Sequence, residues 1–343
     1  MSHLAHFSFF SLGVFSFWGL FFLAASTLLA APHGSRHKLI ESRTVTFHYQ
    51  ATIPPVKSGE GPVDFFIPIA QSDEFQDVLE RTINSPVKGS LRKEEKYGNL
   101  YWHAHLKDTG GKPVPITIIY KIERKLHQQP ELKTVADLSL SRKTLNRHAL
   151  FLQPNERVPI DGPIIQKVRA DLPKVKKNTP YYKARSIYDY VIDTMEYKKI
   201  GTGWGNGDTY WACSERYGNC TDFHALFISL ARAEKLPSRF EIGFPIPEGV
   251  TEGEVKGYHC WVNFYLPKVG WTPIDASEAA KNPEKRELFF GTHPADRIKF
   301  SVGRDIELGQ GHNTAPLNYF IYPHLEVGGK RVKDVQTHFF FKS

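Results

Sequence analysis

The chain has 343 residues, with 44 Lys and Arg against 36 Asp and Glu, for a formal net charge of +8. Hydrophobic residues at 41% and charged residues at 23% exclude a disordered chain, and the length leaves room for about two domains. The 24 Phe, 15 Tyr and 23 Pro favour strands and turns over a helical bundle, and three cysteines exclude a disulfide scaffold.

From Phe7 to Ala31 the chain is apolar or small, and no Asp, Glu, Lys or Arg precedes Arg36. Residues 1–31 are therefore read as a secretory signal peptide or a membrane anchor. The small residues from Ala24 to Ala31 suit a cleavage region. Arg36, Lys38 and Arg43 all follow the apolar run, an asymmetry that favours the opposite orientation under the positive-inside rule. Export to the periplasm or beyond is the expectation, with the membrane touched only through an uncleaved segment. The sequon Asn219-Cys220-Thr221 sits beside the candidate nucleophile, which suits bacterial export better than a glycosylating compartment.

Residues 40–128 predict an antiparallel β-sandwich. Val45, Phe47, Tyr49, Ala51 and Ile53 alternate with polar neighbours, and Val63–Ile69, Tyr97–His105 and Val114–Lys125 continue in that style. Residues 129–178 read as a polar connection with one short helix, Pro163–Leu172, opened by proline. The next segment, 179–285, starts with a helix that Thr179 can cap, with Ala184, Ile187, Tyr188, Val191, Ile192 and Met195 on one face. A glycine-studded loop from Gly201 to Asp208 follows. A second helix runs from Asn219 or Cys220 to Lys235, then strands over 239–244, 259–266 and 271–275. Residues 286–343 read as a β-rich extension with strands at 297–302, 319–326 and 337–342 and a Gly328-Gly329 hairpin turn.

The chemistry lies between Cys220 and Asp275. Cys220 opens an amphipathic helix, where unpaired N–H groups and the helix dipole favour a thiolate and can receive an oxyanion. His259 opens one strand and Asp275 ends the next. A hairpin turn centred on Pro267 sets these two residues directly opposite, on one face of the sheet. The alternative for Cys220 is a small buried hydrophobe.

The segment Tyr217-Gly-Asn-Cys-Thr-Asp-Phe-His224 resembles the nucleophile motif of the transglutaminase-like superfamily. Gly257-Tyr-His-Cys-Trp261 and Gly270-Trp-Thr-Pro-Ile-Asp275 resemble its His and Asp motifs, and the resemblance covers residues 181–280. It implies an α+β fold with a papain-like core and a catalytic triad of Cys220, His259 and Asp275, and it calls for no cofactor. The implied chemistry is acyl transfer from a peptide or protein amide through a thioester, to water or to an amine; the small size and expected export of the chain favour hydrolysis.

Trp204, Trp211 and Tyr258 are candidates to line the substrate site. Asp222 is read as a capping partner of Asn219 and His224 as a structural histidine. The glycine loop lacks the Lys-Ser/Thr ending of a phosphate cradle. Cys213 and Cys260 are either a disulfide or two buried thiols, and strand alternation turns Cys260 away from His259. Two other readings stay open. One is an inactive binding relative of the same fold; the other is a zinc module using Cys213, Cys220, His224, His259 and Cys260, against which the usual ligand spacings are missing. No aromatic-basic interleaving points to nucleic acid, while the positive balance can attract an anionic cell-envelope polymer.

Overall fold

A computed structural model describes residues 39–343 apart from Pro130 and Asp334. The candidate signal or anchor segment, 1–31, lies outside the described residues. Within them no helix is long and apolar enough to cross a membrane.

The first part of the chain builds strands β1 (Ser42–Ile53), β2 (Val63–Ile69), β3 (Gln76–Asn84), β4 (Ser90–Lys93), β5 (Leu100–Leu106), β6 (Val114–Lys125) and the two-residue β7 (His127–Gln128). The alternation in β1 puts Val45, Phe47, Tyr49, Ala51 and Ile53 inward, facing the core with Ile116, Ile118, Tyr120 and Ile122 of β6. All seven residues of β2 are buried. Phe65, Ile67 and Ile69 belong to the main core, while Phe66 packs into a second cluster with Tyr101, Ile306, Leu308, Leu317 and Phe320. A strand covered on both faces needs no alternation.

The connection carries α1 (Arg142–Arg147) and α2 (Pro163–Asp171). Next come α3 (Pro180–Thr194), β8 (Glu196–Tyr197), α4 (Thr209–Glu215), β9 (Tyr217–Gly218) and α5 (Cys220–Ala233). Thr179 precedes α3 but does not cap it with its side chain; its hydroxyl donates to the Ala136 carbonyl instead. The rest of the chain forms β10 (Ser238–Pro245), β11 (Glu252–Glu254), β12 (His259–Leu266), β13 (Gly270–Ile274), α6 (Ala276–Lys281), β14 (Thr292–His293), β15 (Arg297–Val302), β16 (His324–Val327), β17 (Lys330–Val332) and β18 (Gln336–Lys342). The hairpin between β16 and β17 turns at Gly328 and Gly329, both at positive φ.

Three sheets organise these strands, in the orders β11-β18-β1-β6-β3, β17-β16-β2-β5-β4 and β13-β12-β10-β15. The 286–343 stretch does not stand behind the core as an extension. Its strand β18 pairs with β1 and its strand β16 with β2, so it completes both sheets begun by residues 40–128. Residues 39–343 accordingly form one compact unit. The strand expected over 319–326 is shorter, because Phe320 and Ile321 are buried in irregular chain and only His324–Val327 pairs.

The third sheet and the helices around it carry the candidate site. Helix α5 is buried from Cys220 to Arg232. It packs against α3, α4, α6, β10 and β12. Such a helix needs no polar face, which explains the run Phe223, Ala225, Leu226, Phe227, Ile228, Leu230 and Ala231. Gly243 of β10 is required where β15 crosses it, since a Cβ there would lie 1.7 Å from the Ile298 carbonyl oxygen.

Candidate active site

Three elements end at one place: the start of α5, the start of β12 and the start of α6. Asn219 caps α5, its Oδ1 accepting from Thr221 N at 2.9 Å, and Asp222 returns a bond from Asn219 N at 3.0 Å. This is the capping box expected from the sequence. Asp222 does more than cap. Its two oxygens also accept from Gly205 N at 2.7 Å and Gly207 N at 2.9 Å, fixing the glycine loop against the helix start. Gly218 makes room for this carboxylate, because a Cβ at 218 would fall 2.3 Å from Asp222 Oδ2.

Asp275 caps α6 through Oδ1, which accepts from Glu278 N at 2.9 Å and Ser277 Oγ at 2.8 Å. Its other oxygen, Oδ2, lies 2.5 Å from His259 Nε2. The two residues meet diagonally rather than in the expected opposed register. Leu266 pairs with Gly270 and Val262 with Ile274, so the turn centres on Lys268, whose φ is +63°, and not on Pro267. The displacement is two residues, which preserves the face, and His259 therefore shares its side of the sheet with Trp261 and Asp275.

Cys220 is 2% exposed, His259 5% and Asp275 1%. With His259 Nε2 taken by the carboxylate, Nδ1 is the nitrogen left to exchange a proton with the Cys220 thiol. Burial is the largest influence on each group and opposes its charge, yet the cluster outweighs it. Asp275 raises His259 to about 9 despite burial and the nearby Arg297. Burial pushes the Cys220 thiol up, but hydrogen bonds with Cys260 and His259 and the His259 charge bring it well below the ordinary thiol range. Asp275 is likewise held well below the usual carboxylate range by His259, His224 and Arg297, against its burial. These directions describe a thiolate–imidazolium pair backed by a carboxylate.

Tyr258 stands beside the pair. Its hydroxyl accepts from Asn219 Nδ2 at 3.1 Å and donates to the Gly205 carbonyl at 3.4 Å, and Tyr319 OH donates to the same carbonyl at 3.1 Å. Burial and then the Cys220 charge push the phenols of Tyr197 and Tyr258 up. Trp204 and Trp211 hold the glycine loop. Trp211 Nε1 donates to the Tyr217 carbonyl at 3.0 Å and its ring lies where a Gly203 side chain would be, while Trp204 Nε1 donates to the Gly201 carbonyl at 3.2 Å.

Near the nucleophile, His224 is the hydrogen-bonded structural histidine read from the sequence, and Cys260 is a buried free thiol, one of the two states left open for it. His224 is completely buried, with Nδ1 3.4 Å from Cys260 Sγ and Nε2 3.5 Å from Asp275 Oδ1. Cys260, next to His259 in the chain, has its sulfur against His224. The i, i+4 spacing of Cys220 and His224 was the signal, since it puts both on the helix face that β12 covers. All three cysteines are free, so Cys213 and Cys260 form no disulfide. Among the described residues, the ligand atoms of Cys213, Cys220, His224, His259 and Cys260 do not converge three at a time. Asn219, with its amide committed on both sides and 5% exposed, is closed to glycosylation in the fold.

A family model of the Transglutaminase-like superfamily matches residues 171–276, the stretch that contains Cys220, His259 and Asp275. An uncharacterized protein of Haemophilus influenzae is 25% identical over 318 residues, covering 82% of this chain and 84% of that one. Among solved structures, a candidate cysteine protease from Cytophaga hutchinsonii matches with a TM-score of 0.60 at 18% identity, over 88% of this chain and 91% of the other. The periplasmic domain of TgpA from Pseudomonas aeruginosa matches at 14% identity over 73% of this chain and 97% of that domain, with a TM-score of 0.29. Residues 171–276 of this chain are thus similar to the core of the Transglutaminase-like superfamily, and the chain shares its fold with the Cytophaga hutchinsonii structure.

Proposed function

We propose that this chain is a cysteine-dependent acyl-transfer enzyme acting on amide bonds of a peptide or protein, exported from the cell and favouring water as the acceptor. The observation that carries the reading is the join of Cys220 at a helix N-terminus, His259 and the Asp275 carboxylate.

The Cys220 thiolate attacks the amide carbonyl carbon, and the electron pair of the C=O bond moves to oxygen, facing the N–H of Cys220 at the open helix end. Collapse of this intermediate breaks the C–N bond as the His259 imidazolium gives its proton to the leaving amine. The thioester forms with His259 neutral. Water then attacks the thioester while His259 takes its proton, and departure of the acid restores the thiolate–imidazolium pair. Asp275 keeps the ring oriented and favours its charged form throughout.

The test is mass analysis of an amide substrate supplied with excess primary amine, using the protein and its Cys220→Ala variant. The expected product is the free acid, formed by the protein and absent with the variant. A dominant transamidated product overturns the preference for water, and an unaffected Cys220→Ala variant overturns the mechanism. For the net charge of +8, attraction to an anionic envelope polymer should weaken steeply with salt; retention at high salt would exclude an electrostatic origin.

A further inference from the structure

Helix α6 opens with Asp275-Ala-Ser-Glu278, a pattern in which the second carboxylate usually turns back to the backbone N–H of the cap. Here that N–H is already taken, because Asp275 N donates to the Phe289 carbonyl at 3.1 Å. Glu278 gives its own N–H to the cap, 2.9 Å from Asp275 Oδ1, and its side chain is free to turn elsewhere. Its Oε1 lies 2.6 Å from Lys281 Nζ, 3.6 Å from Arg297 Nη2 and 3.9 Å from His259 Nε2. One carboxylate oxygen thus stands among three cationic groups, and one of them is the histidine that must give up a proton.

The charged and titratable side chains around His259 are Cys220 and His224 from α5, Asp275, Glu278 and Lys281 from α6, and Arg297 from β15. Burial keeps His224 neutral. After burial, Arg297 is the strongest influence against the His259 charge. This guanidinium is itself nearly buried and pairs with Asp296 through Nη1 at 2.8 Å, while Nη2 faces Glu278. Among the described residues, Glu278 is the one carboxylate within ion-pair distance of both Arg297 and His259. Without its charge, Asp275 alone would face His259 with two bare cations beside it. Without the charge of Lys281, the Glu278 carboxylate would be shared between fewer partners. An opposite charge at this range favours the imidazolium and a like charge disfavours it.

We propose that Glu278 is a positioning residue for the general acid: its Oε1 stands between His259 and the cations of Arg297 and Lys281, and lets the imidazole keep its proton until the amine leaves. Asp275 orients the ring, and Glu278 shields it from the surrounding positive charge. The proposal rests on His259 being the proton donor of the reaction above.

The experiment follows His259 directly, by NMR of nitrogen-15 histidine-labelled protein from about pH 6 to 11, with its signals identified by their absence from His259→Ala. In the unaltered protein the ring should titrate at about 9. Glu278→Gln keeps the helix start, since the bond to Asp275 comes from the backbone. It should lower the midpoint by about one pH unit, the lower end of what a charge within about 4–6 Å does. Lys281→Met should raise it by about half a unit, because it removes a like charge and leaves Glu278 less shared. A merely structural role does not produce displacements of opposite sign. An unmoved midpoint in Glu278→Gln, or two variants displaced the same way, overturns the proposal and leaves His259 as the acid. A midpoint near the ordinary 6.5 in the unaltered protein overturns the imidazolium, and the proposed function with it. Should Glu278→Gln fail to fold, Lys281→Met at its exposed position decides alone, and a midpoint that stays or falls refutes the proposal.

Discussion

Replacing Asp275 by Asn removes one charge while leaving the start of α6 supported, because Asn caps a helix about as well as Asp and its oxygen can still accept from Ser277 and Glu278. The loss falls on His259. Burial is the largest influence on this imidazole and acts against its charge, and Asp275 is the strongest influence the other way. The gap between its position at about 9 and an ordinary 6.5 corresponds to about 3 kcal/mol of preference for the imidazolium. Without Asp275 the thiolate–imidazolium population falls against the neutral pair by about 300-fold, the same gap expressed as a ratio. The Asn Nδ2 also presents a donor to His259 Nε2 and drives the ring proton to Nδ1, the nitrogen that must accept from the thiol. The assay is kcat/KM from pH 5 to 10, with Cys220 alkylation in parallel. The unaltered protein should lose activity through an alkaline limb near 9, and the variant should show that limb below neutrality and a loss of about two orders of magnitude at pH 7. Thermal stability is the poorer readout. The raised His259 contributes fully below 6.5 and loses its contribution as pH rises through about 9, whereas the depressed Cys220 gains its own as the unfolded thiol ionises towards 9. The two slopes oppose each other. An alkaline limb still near 9 in Asp275→Asn, with Cys220 alkylating as fast as before, would refute the assignment of the His259 charge to Asp275.

Other changes probe the frame around the pair. Gly218→Ala puts a methyl group 2.3 Å from the Asp222 carboxylate; Tm should fall by several degrees and activity with it, and an unchanged melting curve would show that the capping box yields freely. Asp222→Asn sets an N–H donor among three backbone N–H groups, at Gly205, Gly207 and Asn219, and should cost about 1–3 kcal/mol in urea titration; no loss would mean that the glycine loop is held elsewhere. Trp204→Ala should raise KM or lower kcat several-fold if the indole shapes an acyl site, and unchanged kinetics would confine it to loop support. Alkylation of denatured, unreduced protein should label Cys213, Cys220 and Cys260 alike, and protection of any pair would contradict the free thiols.

Much of this site was legible because its signals are local. The helix start at Cys220, the strand patterns of β12 and β13 and the cap at Asn219 depend on residues within a few positions of one another. The register of the hairpin was not, since it turns on Lys268 adopting positive φ, which a non-glycine residue does without any mark in the sequence. The face survived because the displacement was an even number of residues. Strands β3 and β4 escaped notice for another reason: most of their residues are partly or fully exposed, so neither shows the apolar alternation that reveals a half-buried strand. The contact of Cys260 with His224 was hidden because alternation describes where a side chain leaves its strand and not what a neighbouring helix brings to meet it. The pairing of β18 with β1 joins residues some three hundred positions apart, and no local pattern encodes it.

That pairing bears on when the protein can fold during its synthesis. Strand β1 lies between β6 and β18 in its sheet, and β2 between β5 and β16. A ribosome that has made residues 40–300 has produced the whole reactive cluster but neither β16 nor β18, leaving one edge of β1 and one of β2 bare. Exposed edges of this kind template pairing with other chains. Closure of both sheets therefore waits until about residue 342 has emerged, whereas the sheet that carries His259 has all its strands by residue 302. Until that closure the bare edges of β1 and β2 are the parts of the emerging chain most open to pairing with a neighbour, and about the last forty residues act as their cover.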